Sequence, residues 1–194
     1  MPEPLRILIA EDDTVIATDL QEALEALGHR VVGEASNGIE ALRRAQELKP
    51  DLLLLDIKMP ELDGIEVATR VLTECPAAII MLTAYTDEAL IERAEKAGAL
   101  AYLVKPIREE ALKPAIRMAM ARFKELQALR AEVSNLKEAL EARKLIERAK
   151  GILMEKLGLS EAEAMKRLQE QSRSRRKKLA EVAQAILLAQ DLLT

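Results

Sequence analysis

Acidic, hydroxyl and basic residues follow the apolar runs of the amino-terminal half, and these side chains could bind a metal ion and a phosphoryl group. The first run ends at the acidic triplet 11–13, and Asp56, Thr83 and Lys105 follow the third, fourth and fifth runs. In parallel sheets, ligands bind beyond the carboxyl ends of the strands. We therefore expect these residues to line one site.

The acidic residues of this set predict a magnesium site. Neighbouring strands lie about 4.8 Å apart, so Glu11, Asp12 and Asp56 converge if the first and third strands are neighbours. Two bare carboxylates about 4 Å apart repel by about 4 kcal/mol at an effective dielectric near 20. Mg²⁺ relieves this repulsion and pairs with phosphoryl groups. Asp56 is then a candidate phosphoryl acceptor, while Thr83 and Lys105 can bind phosphoryl oxygens.

Short apolar runs alternate with segments of helical periodicity over the first 120 residues, which predicts an α/β fold with a buried parallel sheet. The apolar runs are 5–10, 30–35, 51–55, 77–82 and 99–104. The helical segments are 14–27, 38–48, 63–74 and 87–97, and another begins near Arg108. No strand pattern follows Arg108.

Several other classes of protein are excluded by what the sequence lacks. A dinucleotide site needs a glycine-rich turn where this chain has three acids, and no phosphate-binding Gly-Lys-Ser/Thr loop occurs. The sequence has one histidine, His29, and one cysteine, Cys75, which are too few for a histidine metal cluster or an internal disulfide. The apolar runs are far shorter than the ~20 residues of a membrane span. No basic and apolar leader precedes Leu5, so we expect a soluble, cytoplasmic protein without membrane partners.

Residues 1–122 resemble the receiver domains of bacterial two-component response regulators. The resemblance rests on the motifs at residues 7–13, 54–60, 63–64, 82–84 and 102–106. It implies a flavodoxin-like, doubly wound sheet of five parallel strands in the order 2-1-3-4-5. It also implies a phosphorylation switch served by a sensor histidine kinase.

The resemblance assigns roles to individual residues around Mg²⁺. Asp56 is the phosphoacceptor, Glu11 and Asp12 form the acidic pair, and the backbone carbonyl of Lys58 completes the metal site. Asp12 and Asp13 offer an alternative acidic pair, and we favour the first because Glu-Asp is a common variant in the family.

The remaining assignments concern the switch. Thr83 and Tyr102 form the switch pair, in which Thr83 moves toward the phosphoryl group while the Tyr102 ring turns inward. Lys105 binds the phosphoryl group. The family favours a cis Lys105-Pro106 peptide, although the sequence alone leaves its state open.

The chain changes character after residue 142. Residues 1–142 carry 17 basic and 26 acidic residues, whereas residues 143–194 carry 12 basic and 7 acidic residues. Apolar residues just before this point have the 3,4 spacing of a coiled coil, which favours pairing between subunits over packing within the chain. They are Leu126, Leu129, Val133, Leu136 and Leu140. The tail then reads as three helices, 143–157, 160–172 and 179–193, with the basic run 173–178 in the last connection.

This basic module is predicted to bind nucleic acid. A DNA-reading helix needs a polar face, but the last helix is almost entirely apolar or alanine. RNA is the better fit, although the tail has no aromatic residue for stacking. Lys144, Arg148 and Gly151 share a helix face beside Lys150. A helical glycine costs about 1 kcal/mol against alanine, which suggests either close approach of RNA or close packing of another helix.

Residues from about 135 to 194 look like an ANTAR domain, an RNA-binding module of transcription antitermination regulators. The matching residues are 149–154, 157–158, 160–164, Leu168, Ser172 and 179–183. The resemblance implies binding to hairpin loops of leader transcripts, and homodimerisation promoted by phosphorylation.

We therefore predict a phosphorylation-activated, RNA-binding transcription antiterminator that is not an enzyme beyond its own phosphoryl chemistry. Two alternatives are a DNA-binding response regulator and a regulator whose tail only mediates protein contacts. The expected domains are a receiver at 1–122, a coiled-coil helix at 123–142 and a three-helix RNA-binding module at 143–194. The expected RNA-binding residues are Lys144, Arg148, Lys150, Gly151, Arg173, Arg175, Arg176 and Lys177.

Overall fold

The computed structural model describes residues 3–84 and 88–191. These residues form five β-strands and seven α-helices. In chain order they are β1 (Arg6–Ala10), α1 (Thr14–Ala26), β2 (Arg30–Ala35), α2 (Gly38–Leu48), β3 (Leu52–Asp56), α3 (Gly64–Glu74), β4 (Ala78–Thr83), α4 (Glu88–Lys96), β5 (Ala101–Val104), α5 (Glu109–Leu157), α6 (Glu161–Arg175) and α7 (Leu179–Asp191). The predicted helix start at residue 87 and helix end at residue 193 lie outside the described residues.

The five strands form one parallel sheet in the order β2-β1-β3-β4-β5, which confirms the predicted fold. Leu54 at the centre of β3 lies opposite Ile9 of β1 and Ile80 of β4. The carboxyl ends of β1, β3 and β4 therefore meet at one edge of the sheet.

Both faces of the sheet are covered, which explains why the strands are apolar without alternation. Ile9, Leu54 and Ile80 belong to a core layer that also contains apolar residues of α1 and the start of α5. Their neighbours along the strands, such as Leu53 and Ile79, belong to a second layer formed with α2, α3 and the end of α4. The strands β1, β3 and β4 thus contribute alternate side chains to two buried layers.

Helix α5 runs without interruption over 49 residues, from Glu109 to Leu157. The chain divides into two compact units, Met1–Gln127 and Ala128–Thr194. The predicted coiled-coil residues lie on α5 with large exposed fractions, from 40% at Leu126 to 63% at Leu136. Among the described residues, no helix combines the length and apolar character that crossing a bilayer requires.

The second unit has a small core where the end of α5 meets α6 and α7. Ala149, Leu168, Val182 and Ala183 are its buried residues. The predicted capping box of α6 is present, because the Ser160 side chain accepts from the Glu163 amide while the Glu163 carboxylate accepts from the Ser160 amide.

The end of α6 differs from the prediction. The sequence predicted a helix that ends at 172 and a basic connection over 173–178, but α6 continues to Arg175. Arg176 ends it in the left-handed conformation, with φ of 52°. Basic residues in the last turn of a helix are stabilised by its dipole, so Arg173 and Arg175 are compatible with helix there.

Candidate functional site

The polar residues predicted to form the site lie at adjacent strand ends in the first unit. Asp56 is the last residue of β3 and Thr83 the last of β4, while Glu11 follows β1 directly. Glu11, Asp56 and Thr83 are 3%, 6% and 2% exposed. Asp12 is exposed beside them, so the cluster is buried on one side and open to solvent on the other.

Lys105 joins the two buried carboxylates. Its Nζ donates to Glu11 Oε1 at 2.8 Å and to Asp56 Oδ2 at 3.0 Å. Its backbone N–H donates to the carbonyl of Thr83 at 2.8 Å, which fixes the segment after β5 against the end of β4. The Lys105-Pro106 peptide is cis.

Burial and charge act in opposite directions on this cluster. Burial raises the pKa of Glu11 above its ordinary value, and the charge of Asp56 adds to this, while the hydrogen bond from Lys105 opposes both. Burial alone would lower the pKa of Lys105, but the two carboxylates outweigh it and raise that pKa. The pocket therefore attracts positive charge.

The same cluster has the donor set of a magnesium site. Glu11, Asp12 and Asp56 each offer a carboxylate oxygen, and these oxygens lie within 4.8 Å of one another. Glu11 Oε2 is buried and forms an ion-pair contact with Lys105 Nζ at 2.6 Å, and no other donor among the described residues reaches it. A carboxylate oxygen left in this state fits a hard cation, because Mg²⁺ prefers oxygen ligands.

The surrounding loops distinguish the two possible acidic pairs. The Asp13 side chain caps α1 by accepting from the amides of Val15 and Ile16 at 2.9 and 3.3 Å. Glu11 instead lies in the carboxylate cluster with Asp12 and Asp56. The geometry therefore favours Glu11 with Asp12. Lys58 lines an open cleft together with Asp12.

Gly64 allows a close backbone approach at this site. A Cβ atom at Gly64 would overlap the backbone carbonyl of Asp56. The Gly64 amide donates to the carbonyl of Ile57 at 2.9 Å, and Asp63 caps α3 by accepting from the Glu66 amide at 2.8 Å. The Asp-Gly pair noted in the sequence therefore holds the start of α3 against the end of β3.

The two predicted switch residues line one cleft. Thr83 and Tyr102 border a cavity of about 620 Å³ together with Met81, Ala94 and Met118. Tyr102 is 49% exposed on β5. Apolar residues such as Met81 and Met118 line the cavity together with the charged residues Glu95 and Arg122.

In the second unit, Lys150 is held inside the module. The residue is only 8% exposed, and its Nζ pairs with Glu147 at 2.9 Å and with Glu161 at 2.7 Å. The Glu161 pair ties α5 to the first turn of α6. Hydrogen bonds from Lys150 to Glu161 and Glu147 raise its pKa, so the side chain stays protonated. The two carboxylates offset its positive charge within the module.

The other predicted RNA contacts on α5 are exposed. Arg148 is open to solvent, and Lys144 pairs with Glu141 at 2.7 Å on the helix surface. A Cβ atom at Gly151 would meet nothing within 4 Å. Among the described residues, no helix packs closely against Gly151, which favours the alternative of close approach by a partner.

The basic residues around the α6–α7 junction are exposed as a group. They are Arg173, Arg175, Arg176 and Lys177. Arg175 and Lys177 line a cleft with Arg167, a residue that the sequence analysis did not select. The spacing of Arg167 and Arg175, eight residues apart on one helix, is the signal that could have found it.

Comparison with known proteins agrees with both halves of this description. The family model of the response regulator receiver domain matches residues 7–117, and that of the ANTAR domain matches residues 134–187. The chain belongs to the response regulators that carry an ANTAR domain. This is a family of transcriptional regulators and not one of catalytic enzymes.

Individual relatives support this assignment over different lengths. The transcriptional regulatory protein PdtaR of Mycobacterium tuberculosis is 47% identical over 184 residues, which cover 95% of this chain and 90% of that protein. The chemotaxis protein CheY of Listeria monocytogenes is 34% identical over 116 residues, covering 59% of this chain and 98% of that protein. The solved receiver domain of a modulated diguanylate cyclase from Desulfovibrio desulfuricans superposes with a TM-score of 0.59 at 37% identity, covering 63% of this chain and 98% of that one.

The domain content defines the general role of this response regulator. A receiver domain implies a phosphodonor kinase as partner, and an ANTAR domain implies RNA binding in antitermination. Receiver domains generally bind Mg²⁺ at an acidic pocket, which corresponds to the cluster of Glu11, Asp12 and Asp56.

Proposed function

We propose that this protein is an antiterminator whose binding to RNA hairpin loops is activated by phosphorylation of Asp56. The observation that carries the proposal is the buried cluster of Glu11, Asp56 and Lys105 at adjacent strand ends. The kinase-derived phosphoryl group and the nascent transcript both occur in the cytoplasm, where we propose that it acts.

Phosphoryl transfer follows from the chemistry of these side chains. An Asp56 carboxylate oxygen forms a bond to phosphorus while the bond to the imidazole nitrogen of a sensor histidine kinase breaks. Lys105 exchanges part of its pairing with Asp56 for a phosphoryl oxygen, and Thr83 donates its hydroxyl to another. Glu11, Asp12, Asp56 and the Lys58 carbonyl would hold Mg²⁺, which neutralises charge on the phosphoryl oxygens when bound.

The switch that we propose uses the cleft between Thr83 and Tyr102. Movement of Thr83 toward the phosphoryl group frees space at its end of the cavity, and the half-exposed Tyr102 ring turns into it. The surface around β5 then changes between the two states.

We further propose that residues 123–142 form a coiled-coil helix between the receiver at 1–122 and the RNA-binding module at 143–194, and that the protein acts as a homodimer. The exposed stripe from Leu126 to Leu140 supports pairing through this helix, because solvent-exposed leucines at a and d positions are stabilised by a partner helix.

The charged residues beside this stripe agree with a parallel pair of helices. Glu125 and Glu132 occupy g positions, and Arg130 and Lys137 occupy the e positions that face them.

The proposed RNA surface combines the exposed face of α5 with the basic end of α6. Lys144 and Arg148 lie on the same helix face as Gly151, about two turns and one turn before it, and the space beside Gly151 is open to close approach. The basic group at 173–177 supplies further charge for phosphates. Lys150 contributes through the position of α6, which it holds by its pair with Glu161.

A binding titration at fixed salt tests the proposed function. Labelled RNA hairpins and matched duplex DNA are titrated with the full chain, with and without acetyl phosphate and Mg²⁺, while sedimentation reports the oligomeric state. We expect tighter hairpin binding and more dimer with the phosphoryl donor, and neither change in Asp56→Ala. Asp19→Ala, an exposed residue of α1, is the matched control.

Preference for duplex DNA would support a DNA-binding regulator instead. Absence of binding to both nucleic acids would support a tail that contacts only proteins. Equal hairpin binding by Asp56→Ala with the phosphoryl donor would contradict activation by phosphorylation.

A further inference from the structure

The second unit contains a cleft of about 460 Å³ between the end of α5 and the helices α6 and α7. Its apolar lining, the floor of the cleft, includes buried Leu168 and Val182 with half-buried Leu153 and Ile186. Leu157 also lines the cleft, and 52% of its surface is exposed. A cleft of this kind leaves apolar surface in water that a ligand could cover.

The rim of the cleft is positively charged. Arg167, Gln171 and Arg175 follow one another at intervals of four on α6, and Lys177 lies beyond the helix end. None of these three cations forms an ion pair within the described residues, in contrast to Lys144 and Lys150. Glu181 is the single acidic residue among those that line the cleft. Three unpaired cations around an apolar floor point to a ligand that is both anionic and apolar.

We propose that this cleft receives one unstacked base of an RNA hairpin loop, while Arg167, Arg175 and Lys177 bind the phosphates beside it. The inference rests on the proposed function and names the part of the module that reads the loop. Loop bases are unstacked and available to such a site, unlike bases within a duplex. The Gln171 amide supplies both a donor and an acceptor for the base edge.

No aromatic residue follows Phe123 in the sequence, so an RNA base cannot stack on an aromatic ring of this tail. Modules that bind single strands stack bases on aromatic rings or on the planes of arginine guanidinium groups. In this tail, the aliphatic floor and the arginines at the rim replace the rings. A second copy of the chain that paired cleft to cleft about a two-fold axis fits less well as the occupant, because it would bring the same positive rim into contact.

Filling the cleft tests the proposal without removing any contact. Ala185 and Ala189 are exposed alanines of α7 that line the cleft, and leucine retains helix propensity at such positions. The probe is a hairpin selected with the full chain, in the presence of acetyl phosphate and Mg²⁺, from RNAs with a fixed stem and a randomised loop. We expect Ala185→Leu and Ala189→Leu each to weaken binding by about tenfold, the size of one lost base contact.

Two controls separate base capture from charge and from folding. Ala162→Leu adds the same side chain to an exposed site of α6 outside the cleft, and it should leave the affinity unchanged. Lys177→Gln should lower the slope of log affinity against log salt by about 0.7, the value for one phosphate of a single strand. The two leucine variants should keep the wild-type slope, and circular dichroism melts should show that all variants fold.

The decisive readout is coupling between protein and RNA changes. An abasic nucleotide at one loop position should weaken wild-type binding by about tenfold, yet should cost Ala189→Leu nothing further. Full hairpin affinity in both leucine variants would overturn the base site while leaving the proposed function intact. Failure of the selection to yield any hairpin that the wild type binds would overturn both. A changed oligomeric state in the leucine variants at unchanged RNA affinity would assign the cleft to a second copy.

Discussion

Each of the two units contains a lysine that bridges two carboxylates, and the two arrangements differ in burial. In the receiver, Lys105 pairs with Glu11 and Asp56, whose side chains are 1% and 8% exposed. In the tail, Lys150 pairs with Glu147 and Glu161, whose side chains are 55% and 70% exposed. The pairing distances are similar, from 2.6 to 3.0 Å.

Burial of the acids decides what each arrangement can do. Burial raises the pKa of Glu11, which means that the negative charge of the receiver pocket is held at a cost in free energy. Binding of a cation lowers this cost, and perturbed groups of this kind are typical of functional sites. The hydrogen bond from Lys150 lowers the pKa of the exposed Glu161, and water already solvates that carboxylate. We therefore propose that the first arrangement is a binding site and that the second holds α6 against α5.

The largest expected difference between the two lysines is the response to magnesium. Lys105→Met leaves two buried carboxylates without their cation, and we expect it to lower the free energy of unfolding by about 3 kcal/mol in EDTA. Mg²⁺ should restore much of this loss, because it neutralises the same oxygens. Urea denaturation with EDTA and with Mg²⁺ measures the difference. If magnesium leaves the unfolding midpoint of Lys105→Met unchanged, the cluster is not a cation site.

Gly151→Ala is expected to separate stability from binding in the tail. Because the added methyl meets no other atom, the helix should gain about 1 kcal/mol. Hairpin affinity should nevertheless fall, because the backbone at this position would be covered. Thermal unfolding and the hairpin titration measure the two effects. A variant that is more stable and binds equally well would remove Gly151 from the RNA surface.

Lys150→Met should have a smaller effect on stability than Lys105→Met, with no dependence on magnesium. Its partners are exposed, and exposed ion pairs contribute little. We expect a lower melting temperature for the tail, together with weaker hairpin binding because α6 loses its tie to α5. The conservative Lys150→Arg should recover part of both properties. Loss of binding without any change in melting would instead indicate a direct contact between Lys150 and RNA.

The smallest expected effect is the acid dependence of the tail. Interactions with Lys150 lower the pKa of Glu161, and those with Ser160 lower the pKa of Glu163, from the ordinary value of 4.5. The folded state therefore binds fewer protons than the unfolded chain near pH 4.5, and stability falls as the pH drops through this value. Melting of α6 and α7 followed between about pH 6 and 3.5 should show this decline, reduced in Lys150→Met. A pH-independent melting temperature would contradict both interactions.

The receiver could be predicted closely because its signals are local and repeated. Apolar runs such as 51–55 and 77–82 predict strands buried on both faces, and the residue after each strand must lie at the same edge of the sheet. The strand order came from the family resemblance and agrees with the structure. The close approach of Gly64 to the Asp56 carbonyl could not be predicted from the sequence, since it depends on how α3 meets the end of β3.

The tail was predicted less completely because its site depends on tertiary pairing. Lys150 looks like any other surface cation in the sequence, and its partner Glu161 lies eleven residues away on another helix. The polar run after Ser172 looks like a connection, but it continues α6 as far as Arg175. That Arg167 has no ion-pair partner among the described residues could not be predicted from the sequence, because ion pairing in this unit depends on how the helices pack.

The most direct test of the account is phosphoryl transfer to the receiver pocket. The intact protein is incubated with acetyl phosphate and Mg²⁺, and its mass is measured together with the position of the label after proteolysis. We predict a single phosphoryl group on Asp56, absent in Asp56→Ala and absent when EDTA replaces Mg²⁺. An unlabelled wild-type protein, or a label that persists in Asp56→Ala, would contradict the assignment of this cluster as the phosphorylation site.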